Sequence, residues 1–295
     1  DEVNAGAVME EYGFDRLYLD YEEMLSRQEL DAVVVATPHL LLKDAALAAI
    51  NRGSHVFVEK PMGVSKAEAV EIRDAARDAG VTATVGYCQR WAEGRVLMKD
   101  LIDRGAVGEI AHVSAGKGGP PLTGWLADPK QGGGQLLFLG VHITDQIRWM
   151  LGAEATRVYG DIQWHPETGA DQSSAYTIRF DNNVLADVVC SQNVAVGFDF
   201  LEVLGSDGRI RAEWRGNVVH VESLAIPEFR HPTVIRPNYP ERQSAEMFAE
   251  EMKAWVGSLT EQRDSPVPAD DGVKVMEIID AVFESARTGA PVDLS

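Results

Sequence analysis

Cysteine is scarce in this sequence: Cys88 and Cys190 are the only two. They lie far apart, which excludes a small disulfide-stapled scaffold and reads as two buried thiols in a reducing, cytoplasmic compartment. Long apolar runs are missing too. No stretch of about 18 apolar residues occurs, so no membrane-spanning helix is expected. Positive charge is in short supply, with 27 Lys and Arg against 46 Asp and Glu and a net charge of −19. Such a surface repels nucleic acid and anionic membranes, so neither is an expected partner. The N-terminal stretch "DEVNAGAVMEEYGF" is acidic and does not resemble a signal peptide. Repeats and low-complexity tracts are absent.

What is present is an ordinary globular composition, 45% apolar and 25% charged over 295 residues. That length suffices for one large domain or two smaller ones. The first third alternates strand and helix. Residues 1–12 read as a helix stopped near Gly13, and Arg16-Leu17-Tyr18 as a short strand. Asp20 is an N-cap candidate for the helix "DYEEMLS". "DAVVVATP", ending at Pro38, is a continuous apolar run that suits a parallel strand covered on both faces. A helix ending near Gly53 follows, then the strand His55–Glu59, a helix from Ser65 to Gly80, and the strand Val81–Val85. This is the pattern of a doubly wound α/β sheet.

After Cys88 the pattern changes. A helix is expected at Arg95–Arg104, a strand at Glu109–Ala115, a long Gly- and Pro-rich loop over 116–134 and a helix at Gly140–Leu151. From Thr156 to Ser223 mostly strands are expected, separated by turn signals such as Asp181-Asn182-Asn183 and Ser206-Asp207-Gly208. Two helices, from Ser244 and Asp271, close the chain. One face of that strand region is expected to be apolar and unpaired, and to need a partner.

The stretch "HVFVEKPMG" carries the first chemical question. Taken alone, it is a buried strand ending in an acid, an ordinary solvated lysine and a turn-forming proline. His142 and Asp145, three apart on one helix, share a face with each other. An imidazole titrates near neutral pH and can take a hydroxyl proton. No third ligand stands at metal-binding spacing beside them, so no metal is expected.

"VVVATP", "HVFVEKPMG", "RGAVGEI", "GGG…LGVHITDQIRWMLG", "EVLGSDGRI" and "ESARTGAPV" occur in the order and approximate spacing of the Gfo/Idh/MocA family. The chain resembles this family, the relatives of glucose–fructose oxidoreductase and inositol dehydrogenase, over nearly its whole length. The resemblance implies NAD or NADP as cofactor and a sugar, inositol or related polyol as substrate. It implies an α/β fold: a Rossmann-type parallel sheet, N-terminally truncated, in residues 1–87, then an α+β domain with an open, mainly antiparallel sheet in residues 88–295. By the resemblance, Lys60 holds the reacting oxygen during hydride transfer, and His142 takes its proton. Asp145, Arg90 and Trp125 are the substrate-side candidates, and Trp125 serves equally well as packing. Thr37, Pro38, His39, Glu59 and Lys60 border the cofactor; the first three also read as a plain strand-ending turn.

Three departures stand against the family pattern. The opening strand, Gly-rich turn, helix and second strand are missing, so the chain reads as a fragment of a longer protein, with a variant that lost cofactor binding as the alternative. That loss leaves the Ala32–Ala36 strand with an open, apolar edge. Phe138 stands where many members carry Asp, four residues before the histidine. Leu42 stands where many have His. "GKGGPP", residues 116–121, lacks the spacing of a phosphate loop and reads as a flexible substrate-side loop. The expected function is an NAD(P)-dependent dehydrogenase acting as a homodimer or homotetramer. A redox-neutral, glycoside-cleaving relative and a non-catalytic scaffold are the alternatives.

Overall fold

The computed structural model describes residues 2–214, 217–237 and 243–294. In chain order the elements are α1 (Glu2–Tyr12), α2 (Tyr21–Arg27), β1 (Ala32–Val35), α3 (His39–Ile50), β2 (His55–Glu59), α4 (Lys66–Ala79) and β3 (Ala83–Gly86). Then come α5 (Glu93–Asp103), β4 (Ile110–Gly118), α6 (Val141–Leu151), β5 (Ala155–Trp164), β6 (Asp171–Phe180) and β7 (Leu185–Ser191). The chain continues through β8 (Phe198–Gly205), β9 (Gly208–Glu213), β10 (Val218–Ser223), β11 (Thr233–Ile235), α7 (Gln243–Thr260), α8 (Ala269–Thr288) and β12 (Val292–Asp293).

The first three strands form a parallel sheet in the order β1-β2-β3. Val56, Phe57 and Val58 of β2 are fully buried, each burial being worth about 1.5–3 kcal/mol. Helices on both faces explain why this strand is apolar at successive positions rather than alternate ones. The helix α4 is delimited by its own residues. Ser65 Oγ accepts from the Glu68 amide at 3.3 Å, and Gly80 ends the helix at φ +68°.

Both edges of this sheet differ in kind. Beyond β3, the Val85 amide donates to the Val267 carbonyl at 3.0 Å, so the segment before α8 covers that edge. Beyond β1 nothing among the described residues pairs, and Val34 is half exposed. Arg16–Tyr18 is not a strand. With no neighbouring strand to bond, its backbone is irregular, and its side chains anchor locally: Gln28 accepts from Arg16 at 2.8 Å and donates to the Tyr18 hydroxyl at 2.6 Å.

The second sheet has nine strands in the order β11-β10-β9-β8-β4-β7-β6-β5-β12. Only the β4–β7 pair is parallel. Helices α5, α6 and α8 pack on one face. The open face is not uniformly apolar, contrary to the sequence reading. One cross-strand row, Ala175–Val189–Gly116–Phe200, is apolar; the next, Thr177–Asp187–Ser114–Glu202–Arg211, is polar or charged. On that face Asp187 bonds both His112 and Ser114, at 2.6 and 2.9 Å.

β4 also runs further than its composition suggested. Gly116, Lys117 and Gly118 belong to the strand, not to a flexible loop. A Cβ on Gly116 would meet the Phe200 ring at 2.6 Å, so glycine here makes room for an aromatic lying across the strand. The alternation Val113, Ala115, Lys117 therefore continues inward, and Lys117 is buried.

Candidate active site

Lys60 leaves the carboxyl end of β2, the side on which ligands of parallel α/β sheets bind. Its Nζ donates to the Phe138 carbonyl at 3.0 Å and sits 4.6 Å from the centre of the Phe138 ring. The Glu59 carboxylate turns instead to the Lys60 backbone amide, at 3.1 Å. Among the described residues no carboxylate pairs with the Lys60 ammonium. Burial lowers its pKa to about 8, and nearby Lys117 adds to the shift while Glu59 and Cys88 oppose it. Burial likewise raises Glu59.

His142 lies in the first turn of α6, directly after a π-helical turn, Leu136–Gly140, that carries Phe138. Wide turns of this kind recur at functional sites because they re-aim side chains. The Gly-Gly-Gly run before it is needed for close packing: the Asp171 carboxylate lies 2.1 Å from where a Cβ on Gly134 would stand, and that residue has φ +135°. Asp171 then accepts from the Leu136 amide at 2.6 Å, which pins the turn. His142 is 6% exposed, its ring meets Tyr87 edge-on at 6.4 Å, and its Nδ1 has no hydrogen-bond partner among the described residues. Burial first, then Lys60 and Lys117, hold its pKa well below the usual imidazole range. The imidazole is therefore neutral near pH 7, able to accept a proton but not primed by an acid.

Most of α6 is buried, and its other polar side chains are matched except for Gln146 Oε1, which has no partner among the described residues. Thr144 bonds the Tyr176 hydroxyl at 3.0 Å, and Gln146 donates to Gln89 at 2.5 Å. Asp145 receives both Nε and Nη2 of Arg90, at 3.0 and 2.5 Å, and Arg90 Nη2 also reaches Asp271 at 2.9 Å. Arg148 closes the network on Asp271 and Glu154, at 3.1 and 2.6 Å. Burial works against the Arg90 charge, but Asp145 and Asp271 keep it. Asp145 and Arg90 are thus turned to each other, joining α6 to the turn that leaves β3.

Two groups escaped the sequence reading. Lys117 pairs with Asp199, its register partner on β8, and lies 5.7 Å from the Trp214 ring. Arg95 binds the same carboxylate at 2.7 Å. Both Lys117 and Asp199 fall on the inward phase of their strands, which is the signal that could have found them. Glu251 is the second. It sits in the buried α7 stripe Met247–Glu251–Trp255, and neither of its oxygens has a partner among the described residues. Burial, reinforced by Glu59 and Asp145, raises its pKa to about 9.

The cofactor-side candidates gather at the carboxyl end of β1. Thr37 Oγ1 is buried without a partner among the described residues, a donor that a bound ligand would satisfy. His39 Nδ1 is 2.7 Å from the Gly132 carbonyl and its ring meets Trp125 at 4.8 Å; burial lowers its pKa to about 4. Trp125 therefore ties the loop before α6 to this side of the site. Thr37 with its unpartnered hydroxyl, and Glu59 and Lys60 at the end of the neighbouring strand, lie on the side of the sheet where a dinucleotide would bind. The glycines that would approach its pyrophosphate are not among residues 1–87.

Two family models match the chain: an oxidoreductase family with an NAD-binding Rossmann fold over residues 1–87, and the GFO/IDH/MocA C-terminal domain over residues 96–211. Among curated proteins it is 29% identical to D-xylose 1-dehydrogenase (NADP(+)) 2 of Haloferax volcanii, over 100% of this chain and 90% of that one. It is 28% identical to the scyllo-inositol 2-dehydrogenase (NAD(+)) of Bacillus subtilis, over 98% and 85%. Among solved structures, levoglucosan dehydrogenase in complex with NADH superposes with a TM-score of 0.91 at 22% identity, covering 100% of this chain and 88% of that one. With the parallel sheet, the mainly antiparallel nine-stranded sheet and Lys60 between them, the chain belongs to the Gfo/Idh/MocA family of NAD(P)-binding oxidoreductases.

Proposed function

We propose that the site carries hydride transfer between NAD(P) and a hydroxyl-bearing carbon of a sugar, inositol or related polyol. The observation that carries this reading is a half-buried ammonium, Lys60, at the carboxyl end of β2, held by the turn that delivers a buried neutral imidazole, His142. A bound nicotinamide supplies the hydride acceptor. Lys60 holds the substrate oxygen and steadies the negative charge it gains as hydride leaves the carbon. His142 accepts the hydroxyl proton. Arg90 and Asp145 position α6 against the β3 turn, and Trp125 closes the loop over His39. In this reading residues 1–87 hold the nicotinamide end and residues 88–295 hold the substrate. D-Xylose and scyllo-inositol, named by the relatives, are the first substrates to try.

The test mixes the full chain with NAD or NADP and a polyol and aldose panel, and follows reduced cofactor. Formation of reduced cofactor that is lost by at least about a hundredfold in Lys60→Ala supports the reading. Equal turnover by Lys60→Ala refutes it. A second reading, a redox-neutral use of NAD on glycosides, draws on Phe138, which leaves His142 without an acid to raise its basicity. It predicts glycoside cleavage with no net reduced cofactor.

A further inference from the structure

Asp171 breaks the alternation of its own strand. Along β6 the inward, buried positions are Ser174, Tyr176, Ile178 and Phe180, a phase that puts residue 171 outside, yet Asp171 is buried. The cause is a slip in the pairing with β5. Ser173 stands opposite Gln163 but Asp171 opposite Trp164, which leaves Gln172 as one extra residue. A β-bulge of this kind re-aims the side chains beyond it. Here it turns a carboxylate inward, onto the start of the helix that carries the site.

That helix runs from the π-helical turn Leu136–Gly140 into α6 without a break, and no side chain at its own start caps it. Gly132, Gly133 and Gly134 precede it and have no side chain to offer. Its first amides need partners from elsewhere. Asp171 supplies one, accepting from the Leu136 amide at 2.6 Å, and Gly134 leaves it room. Ser174, the next inward residue, donates to Gln135 Oε1 at 3.1 Å. Burial works against the Asp171 charge, and main-chain amides, Leu136 and Gln135 among them, sustain it; among the described residues no cation pairs with it. Negative charge at a helix start is favourable in its own right. Two residues beyond Leu136 is Phe138, whose carbonyl holds Lys60, and His142 follows about one turn later.

We propose that Asp171 is a positioning residue of the active site. As a cap supplied from another strand, it fixes where the helix begins, and so where the Phe138 carbonyl meets Lys60 and where His142 stands. It acts through the helix and rests on the hydride-transfer reading above. Turnover is sensitive to such placement: a displacement of about 1 Å in the reacting groups can cost about a hundredfold.

The experiment uses Asp171→Ala, Asp171→Asn and Asp171→Glu in the full chain, with two readouts taken beside urea unfolding. The first is the NMR signal of Lys60 in protein labelled at lysine Cε, assigned with Lys60→Arg; it needs neither cofactor nor turnover. The second is kcat and KM for formation of reduced cofactor with D-xylose or scyllo-inositol. Asp171→Ala is expected to move the Lys60 signal and to lower kcat at least about tenfold, with KM for the nucleotide within about twofold of native. Asp171→Asn keeps an acceptor for the Leu136 amide, so it is expected to bring the signal back toward its native position and kcat to within about threefold. Asp171→Glu keeps the charge but sets it one methylene further out, and the cavity of about 320 Å³ that Asp171 lines with Leu126 and Gln192 accommodates the extra length. It is expected to fold and to move both readouts in the direction of Asp171→Ala, and it decides the matter where that variant does not fold. A residue that only stabilises the fold would lower the unfolding midpoint and leave both readouts native in the folded variants. That result in Asp171→Ala, or in Asp171→Glu where the first does not fold, overturns the proposal, as does an Asp171→Asn as impaired as Asp171→Ala. Should the native chain turn over neither polyol with either nucleotide, the dehydrogenase reading fails and the Lys60 signal alone decides the role of Asp171.

Discussion

Arg90 grips both oxygens of Asp145, at 3.0 and 2.5 Å, inside the protein. Asp145 is 1% exposed. Removing Asp145 ends the bidentate grip on α6 and leaves the largely buried Arg90 guanidinium with Asp271 alone. Asp145→Ala is therefore expected to cost about 3–5 kcal/mol of stability, measured by urea unfolding. A loss below about 1 kcal/mol would mean that the carboxylate is not holding the helix to the β3 turn.

Lys117 and Asp199 allow a cleaner dissection, because Arg95 shares the carboxylate. Asp199→Asn leaves two buried cations facing a neutral amide and should destabilise more than Lys117→Met, which leaves Asp199 paired with Arg95. The opposite ranking of the two unfolding midpoints would refute the shared-carboxylate picture.

Glu251 makes stability depend on pH. Its pKa is raised from 4.5 to about 9 in the fold. The folded state then binds more protons than the unfolded chain between those values, so this group's contribution is full below about pH 4.5 and is lost as pH rises toward 9. Glu251→Gln removes the slope. The variant should gain on the native protein steadily from pH 5 to pH 9. Parallel stability curves across that range would show that Glu251 ionises freely.

His142, lowered well below an ordinary imidazole, should leave kcat without an acid limb near pH 6.5. Lys60, at about 8, should give an alkaline limb: activity needs the ammonium and falls as pH rises through that value. A profile that rises through pH 8 would contradict the role of Lys60.

Self-association is expected through the open face of the nine-stranded sheet. The apolar row Ala175–Val189–Gly116–Phe200 supplies buried area, and the flanking charged row supplies register. Light scattering should give a dimer or tetramer, and Val189→Glu should shift it toward monomer. A monomeric native chain at micromolar concentration would rule this out.

The parallel sheet was legible because each of its elements is delimited locally. Ser65 caps α4, Gly80 ends it, and the apolar run of β2 stops at Pro61. The strands of the second sheet were legible for the same reason, through alternation and turn residues. Arg16–Tyr18 was misjudged because a strand exists only where a neighbour accepts its hydrogen bonds. Residues 116–118 were misjudged because glycine composition suggests a loop, and only the Phe200 ring lying across Gly116 makes glycine a strand residue there.

By itself, the sequence determined most of the helices and strands and the family to which they belong. Those are properties of short windows and of their order along the chain. Tertiary structure alone decided what each charged group faces. It turned Asp145 and Arg90 to each other, set Lys117 against Asp199, buried Glu251 with no partner among the described residues, and placed the Phe138 carbonyl and ring on Lys60. Such choices depend on which distant segments exclude water from the same spot, and burial, not sequence spacing, sets the strength of a charge.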